Sequence, residues 1–260
     1  MDLLKIDSVT KTFGGLYALR QVSFSITEGE IVSLIGPNGA GKTTLFNCIN
    51  GLLPFPEGNI LFQGSNLKGL KPHQIAGLGL ARTFQVTRLF NKMSLLENMI
   101  VGQHPHLKAG LLSGLLLPKW VSDEEKAAIE KSLEILALFE ERLLPRKDAF
   151  AETLSYANKR RLEIARALVS KPKLLLLDEP TAGMNPHETE GIIHLIKKIK
   201  EMGMTIFIIE HDMKVIMGAS DRIVVLDHGE KIAEGVPAEI QSNEKVIQAY
   251  MGKRYRHAET

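Results

Sequence analysis

Three glycines, a lysine and a threonine lie at fixed spacing in the segment GPNGAGKT, residues 36–43. The apolar residues 31–35 precede this segment, and a predicted helix from Gly41 to about Asn50 follows it. Glycines let the backbone approach a ligand closely, so that successive N–H groups converge on a small anion, and the helix N-terminus adds its positive end. A triphosphate needs such a set of donors. The pattern therefore predicts a loop that binds the phosphates of a nucleotide.

The side chains of this loop have separate expected roles. Lys42 is expected to place its charge against the β- and γ-phosphates, and Thr43 is expected to offer its hydroxyl to Mg²⁺. A glycine-rich turn that matches by coincidence is the alternative, and the strand-to-helix context argues against it. The predicted nucleotide-binding residues here are Gly36, Pro37, Asn38, Gly39, Ala40, Gly41, Lys42, Thr43 and Thr44.

Two adjacent carboxylates, Asp178 and Glu179, follow the apolar run at residues 174–177. Such a run predicts a strand covered on both faces, and ligands of α/β sheets bind beyond the carboxyl ends of strands. Asp178 is expected to orient Mg²⁺ or its water, because Mg²⁺ keeps several waters and takes few carboxylates. Glu179 is then placed to polarise an attacking water. Alone, the pair also fits a solvated turn, but a phosphate loop in the same chain favours the catalytic interpretation.

The elements that must position these residues alternate between strand and helix at both ends of the chain. Residues 22–26 alternate between apolar and polar side chains, and residues 205–209 and 222–226 form further apolar strands. Asn185 is expected to cap the helix that leads into the first of these two strands. This order predicts an α/β fold with a largely parallel sheet and helices on both faces.

The middle of the chain, residues 86–171, is predicted to be mostly helical. Ser94 with Glu97 and Ser122 with Glu125 have the spacing of a capping box. The helix after Ser122 is expected to bury one apolar face, formed by Ile129, Leu133 and Leu136. A helical insertion is therefore expected to interrupt the sheet.

Composition restricts the possible partners and the compartment. With 32 basic and 30 acidic residues, the net charge of +2 argues against nucleic acid as a partner. One cysteine, Cys48, allows no internal disulfide and is typical of a reducing compartment. The apolar stretch at residues 109–118 is shorter than the ~20 residues that cross a bilayer, so a membrane link is expected only through a partner.

In this order, these elements resemble the ATP-binding subunits of ABC transporters over nearly the whole chain. The resemblance implies a P-loop NTPase (RecA-like) mixed sheet core with N-terminal antiparallel strands and a helical subdomain. For this chain it implies a single domain, with residues 1–85 and 172–260 as the nucleotide-binding core and residues 86–171 as the helical subdomain carrying the signature helix.

The resemblance also implies further site residues. Gln85 is expected to be a catalytic residue and a Mg²⁺ ligand, His211 a catalytic residue, and Phe13 the ring that stacks on adenine. By itself, each residue fits a simpler role. Gln85 also fits a surface polar side chain, His211 a structural histidine at a strand end, and Phe13 a core phenylalanine.

The family signature, Leu-Ser-Gly-Gly-Gln, has the sequence LSYAN at residues 154–158. In the family this segment reaches across a dimer to the other subunit's γ-phosphate, so Ser155 is expected to contact the partner's ATP. Ala157 adds a Cβ where the family has glycine, and Asn158 is shorter than glutamine. Because Ser155 and the helix N-terminus remain, we expect this phosphate contact to be weakened rather than lost.

Finer details resemble the LivG branch of the branched-chain amino acid importers, among them RTFQ at residues 82–85, EHDM at 210–213 and AYMG at 249–252. That branch implies ATP and Mg²⁺ as cofactors, a second ATP subunit (identical or different), two permease subunits and, indirectly, a solute-binding protein. It implies a peripheral position on the cytoplasmic face of the inner membrane. Permease contact is expected within residues 85–103. Residues 111–117 are a further candidate, with an ordinary buried helix as the favoured alternative.

Two other functions stay open. The first is a non-transport ABC ATPase of repair or translation, although such proteins usually carry two cassettes or a long coiled-coil insertion, and this chain shows neither. The second is an ATP-binding regulatory subunit, which the altered residues Ala157 and Asn158 suggest. The presence of Glu179 and His211 argues that this chain's own half-site is competent.

Overall fold

The computed structural model describes residues 2–104, 119–139 and 142–256. It divides into two compact units, one formed by Met1–Leu80 with Leu174–Thr260 and the other by Ala81–Lys173. The docking candidate at residues 111–117 lies outside the described residues.

The N-terminal sheet of the first unit is antiparallel, with the strand order β2-β1-β4-β5. Its strands are β1 (Asp2–Phe13), β2 (Leu16–Thr27), β4 (Glu57–Phe62) and β5 (Ser65–Asn66). The alternation predicted for residues 22–26 is confirmed, because Val22, Phe24 and Ile26 are buried while the residues between them are less so. One face of this sheet thus belongs to the core.

The second sheet has the order β10-β9-β3-β8-β7-β6. Its strands are β3 (Ile31–Ile35), β6 (Leu80–Arg82), β7 (Leu174–Asp178), β8 (Thr205–Ile209), β9 (Arg222–Asp227) and β10 (Glu230–Gly235). Strands β9, β3, β8 and β7 are parallel, and β10 runs antiparallel to β9. Every residue of β3, β7 and β8 is buried, as their continuous apolar runs predict. The register pairs Ile209 with both Leu34 and Asp178, so these three strands end at one edge.

A local hydrogen-bonded cap starts the helix that follows Asn185. The cap predicted at Asn185 is confirmed: its side chain accepts the N–H of Glu188 at 3.0 Å, and the Glu188 carboxylate accepts the N–H of Asn185 at 3.1 Å. Within the described ranges, no helix is both long and apolar enough to cross a bilayer. The helices are α1 (Lys42–Ile49), α2 (Pro72–Gly77), α3 (Leu95–Gly102), α4 (Lys119–Ala137), α5 (Tyr156–Leu168), α6 (Pro186–Glu201), α7 (Met213–Ala219), α8 (Pro237–Gln241) and α9 (Glu244–Arg256).

The second unit contains α3, α4 and α5. Its capping box at Ser94 and Glu97 is confirmed, but the one predicted at Ser122 is wrong, because the chain is already helical from Lys119 and Ser122 lies inside α4. The buried stripe of α4 is also displaced from the predicted face, and Ile129 and Leu133 are only half-buried. The fully buried residues of α4 are Ala128, Ser132 and Leu136. A polar contact accounts for the buried serine, because the Gln103 side chain donates to the Ser132 hydroxyl at 2.9 Å.

Candidate active site

The loop that joins β3 to α1 adopts a conformation that its glycines permit. Gly36, Gly39 and Gly41 have φ values of 150°, 82° and 102°. A Cβ on Gly36 would lie 2.0 Å from the Leu226 carbonyl oxygen, and one on Gly41 would lie 2.4 Å from the Ala18 carbonyl oxygen. Both contacts are too short for any side chain, so close backbone packing requires glycine at these two positions. The loop leads into α1, whose N-terminus has no side-chain cap and therefore keeps donors for an anion.

Lys42, at the first position of α1, is buried and bonded to this same loop. Its Nζ donates to the carbonyl oxygen of Gly36 at 2.6 Å and to that of Pro37 at 3.1 Å. Asn38 and Thr43, by contrast, are exposed. A buried ammonium, uncapped helix donors and a glycine-dependent backbone together fit the phosphate chain of a nucleotide.

Asp178 and Glu179 lie at the carboxyl end of β7, on the edge where the phosphate loop begins. Asp178 is buried as the last strand residue. Glu179 has a φ of 47°, the left-handed region, and its N–H donates to the Ile209 carbonyl at 2.9 Å. That conformation costs a non-glycine residue roughly 1–2 kcal/mol.

His211 and Glu179 are brought together by the adjacent ends of β7 and β8. The His211 Nδ1 lies 3.8 Å from Glu179 Oε1, and the imidazole is largely exposed while the carboxylate is partly exposed. A carboxylate and an imidazole at the open edge of the sheet can exchange or orient protons of a bound water.

Glu210 is a site residue that the sequence interpretation passed over. Its buried carboxylate accepts the N–H of Thr181 at 3.0 Å and the Thr181 hydroxyl at 2.5 Å, and also the N–H of His211 at 3.0 Å. These bonds tie the loop after β7 to the loop after β8, which holds Glu179 and His211 side by side. The available signal was a carboxylate directly after a continuous apolar strand, a position where burial requires several donors.

Phe13 ends β1 and is 48% exposed, so it is not a core phenylalanine. The Lys11 ammonium lies 4.9 Å from the centre of its ring. An exposed aromatic ring beside a cation is available for stacking with a planar ligand.

Gln85 and Ser155 belong to the second unit, and both are exposed. Ser155 is the N-cap of α5 and accepts the N–H of Asn158 at 3.4 Å. The Gln85 carbonyl accepts a hydrogen bond from Arg160 at 2.7 Å. Ala157 is only 3% exposed, so its Cβ is buried instead of projecting from the surface.

Comparison with known proteins identifies relatives over nearly the full length. A family model for the ABC transporter matches residues 19–182, and one for the branched-chain amino acid ATP-binding cassette transporter matches residues 230–256. The high-affinity branched-chain amino acid transport ATP-binding protein LivG of Salmonella typhimurium is 46% identical over 252 residues, which are 96% of this chain and 98% of LivG. The protein BraF of Pseudomonas aeruginosa, which bears the same description, is 43% identical over 252 residues, with the same coverage.

Solved structures of cassettes superpose well on this chain. The ADP conformation of MJ1267, an ATP-binding cassette of an ABC transporter, gives a TM-score of 0.84 at 34% identity and covers 97% of this chain and 99% of its own. The dimeric bacterial cassette MJ0796 gives a TM-score of 0.74 at 30% identity and covers 90% and 98%. The predicted fold class, a mixed core sheet with N-terminal antiparallel strands and a helical part, is confirmed.

Proposed function

This chain belongs to the ABC transporter family, in its branched-chain amino acid ATP-binding branch, and from that membership we propose that it hydrolyses ATP to drive uptake of branched-chain or related amino acids through separate permease subunits. One observation carries the proposal. The phosphate loop after β3, the Asp178–Glu179 pair after β7 and His211 after β8 all leave the sheet at the same edge.

The residues of the loop at 36–44 are proposed to bind the phosphates, with Lys42 supplying positive charge and Phe13 stacking on adenine. Bound Mg²⁺ would neutralise charge on the phosphates. Its proposed ligands are Thr43, Asp178 and Gln85, a set with a single carboxylate, as suits a metal that keeps several waters.

Glu179 is proposed to accept the proton of the attacking water, and His211 beside it is proposed to help orient the reacting groups. Glu210 is proposed to keep these two side chains in register through the loops that it joins. Phosphoryl transfer asks mainly for positioning and charge neutralisation. A rigid pair of loops at the sheet edge supplies the first of these.

A second ATP subunit, identical or different, is proposed to complete each site. Ser155 is exposed at the N-cap of α5. It is proposed to contact ATP held by the partner. The dimeric form of the related cassette MJ0796 supports such an arrangement.

The proposed permease-docking surface consists of large apolar side chains of the second unit that are exposed: Val86, Phe90, Met93, Val101 and Phe150. Residues 93–95 and 149–151 are joined by backbone hydrogen bonds and a β-bridge, so that Phe150 lies beside the segment 85–103. Exposed apolar side chains grouped in this way are typical of protein contacts. Through the permeases, the chain would be held at the cytoplasmic face of the inner membrane, and a solute-binding protein would act on it indirectly.

The test is reconstitution of this chain in liposomes with a second ATP subunit and two permease subunits of a branched-chain amino acid transporter. We expect Mg²⁺-dependent ATP turnover to rise on assembly, and uptake of labelled leucine to require ATP and the solute-binding protein. Assemblies with Glu179→Gln are the matched control. ATP binding without turnover in every assembly would favour a regulatory subunit, and turnover without uptake of any branched-chain amino acid would refute the proposed substrate class.

A further inference from the structure

An ion pair is buried on α5, just after the N-cap Ser155. Arg160 Nη1 lies 2.8 Å from Glu163 Oε2, and the two side chains are 0% and 2% exposed. A buried ion pair is retained at low cost only where further hydrogen bonds satisfy both charged groups. The partners of Arg160 and Glu163 therefore indicate what the pair does.

Those partners include backbone groups of residues 84–88, a segment with no helix or strand of its own. Arg160 donates through Nη1 to the Phe84 carbonyl and through Nη2 to the Gln85 carbonyl, the latter at 2.7 Å. Glu163 Oε1 accepts the N–H of Phe84 at 3.3 Å and that of Arg88 at 3.4 Å. The pair thus supplies hydrogen bonds that an irregular segment cannot form internally.

The side chains of Phe84 and Gln85 in this segment differ in their surroundings. The Phe84 ring lies between two guanidinium groups, with the Cζ of Arg82 at 5.1 Å and the Cζ of Arg88 at 4.4 Å from its centre. The Gln85 side chain is exposed. The segment is therefore fixed through its backbone and through the Phe84 ring, at the position where the Gln85 side chain is exposed.

We propose that Arg160 and Glu163 are positioning residues for hydrolysis, which fix the backbone of Gln85 to the helix that begins at Ser155. The inference rests on the proposed function, in which Gln85 serves this chain's own ATP and Ser155 serves the partner's. The contact makes segment 84–88 and α5 one rigid piece. A displacement of Gln85 at this chain's own ATP therefore also moves Ser155 at the partner's ATP. The planar fork of arginine suits this task, since lysine lacks the geometry to bind both carbonyls.

Hydrogen exchange on the full chain without nucleotide tests the contact itself. Arg160→Lys and Glu163→Gln should speed exchange of the Phe84 and Arg88 amides by about tenfold or more, since both variants loosen the acceptor that protects them. Arg161→Lys is the matched control, because Arg161 lies on the same helix but donates to the side-chain oxygen of Asn158 at 3.1 Å. Unchanged exchange in both test variants would overturn the proposal.

Kinetics of the assembled transporter test the positioning role. Arg160→Lys should lower kcat by roughly tenfold to a hundredfold, the scale of a small misplacement, with little change in the KM for ATP. In a variant that already carries Gln85→Ala, Arg160→Lys should lower kcat no further, because Arg160 acts on hydrolysis through Gln85. If the double variant instead loses kcat by the product of the two separate factors, Arg160 acts independently of Gln85. Its role would then be merely structural, and the proposal would be overturned.

Two further outcomes separate the inference from its premise. If Arg160→Lys does not fold, Glu163→Gln takes its place in the same kinetic comparison with Gln85→Ala. A wild-type assembly without turnover would refute the proposed function, whereas a wild-type assembly with turnover that Arg160→Lys matches would overturn only the positioning role.

Discussion

Gly41→Ala should disable the phosphate loop, whereas Gly39→Ala should be tolerated much better. Both glycines have positive φ, 102° and 82°, so each substitution forces an L-residue into a region that costs roughly 1–2 kcal/mol. Only at Gly41 does the added methyl group meet the backbone, 2.4 Å from the Ala18 carbonyl oxygen. Nothing lies within 4 Å of the corresponding position on Gly39.

The difference between the two variants follows from that contact. An ordinary contact begins at 3.4 Å, so the loop or β2 must move by 3.4 − 2.4 = 1.0 Å to admit the Gly41 methyl group. Overpacking of this kind costs about 1–3 kcal/mol in addition to the cost of placing an L-residue at positive φ. We therefore expect Gly41→Ala to lower the free energy of unfolding by about 2–5 kcal/mol and Gly39→Ala by about 1–2 kcal/mol.

Urea unfolding of the two purified variants measures these free energies, and titration with a fluorescent ATP analogue measures nucleotide affinity. Because each 1.4 kcal/mol is about tenfold in a binding constant, the additional strain of about 1–3 kcal/mol in the loop should make Gly41→Ala bind at least about fivefold more weakly than Gly39→Ala. Equal losses of stability and affinity in the two variants would refute the close approach of the loop to Ala18.

Four further predictions concern the site and its surroundings. Glu179→Gln should leave ATP binding intact and lower turnover by roughly 10²–10⁴-fold in a steady-state assay, and near-native turnover would remove Glu179 from the role of base. Lys42→Ala should weaken nucleotide binding, because it removes a buried ammonium that two loop carbonyls hold; an unchanged Kd would contradict the assignment of the loop. Burial raises the pKa of Cys48 from 9.0 to about 11, against a smaller opposing effect of the Lys11 charge, so alkylation of the native chain should be far slower than that of the urea-unfolded chain. The unfolded chain therefore loses this thiol proton at a lower pH than the folded chain does. The free energy of unfolding should fall progressively as the pH rises from 9.0 to about 11, and a pH series of urea titrations measures this fall. Ala157→Gly should leave the turnover of the assembled transporter near its native value, because the Ala157 methyl group is buried and does not project from the surface, whereas a large gain would mean that this methyl group obstructs the partner's phosphates.

Features that depend on neighbours along the chain are present in the sequence itself. The bounds predicted for β3 and β8 are confirmed, because a short, continuous apolar run between turn residues is a local property. The glycine spacing of residues 36–41 is equally local, since positive φ is a property of each residue's own backbone. The Ser94 capping box is confirmed for the same reason, as it joins residues three apart.

Features that depend on distant residues were decided only by the tertiary structure. Ser122 has the same capping spacing as Ser94, yet it lies inside α4, because the position of a helix end depends on what precedes it and on packing. Exposure of Phe13 and burial of Ala157 follow from which surfaces the fold covers. Arg160 binds a carbonyl 76 residues earlier, and Glu210 binds Thr181, 29 residues earlier. The sequence shows that a side chain is charged. Only the folded chain determines whether distant backbone groups lie close enough to offset the desolvation free energy of burying it.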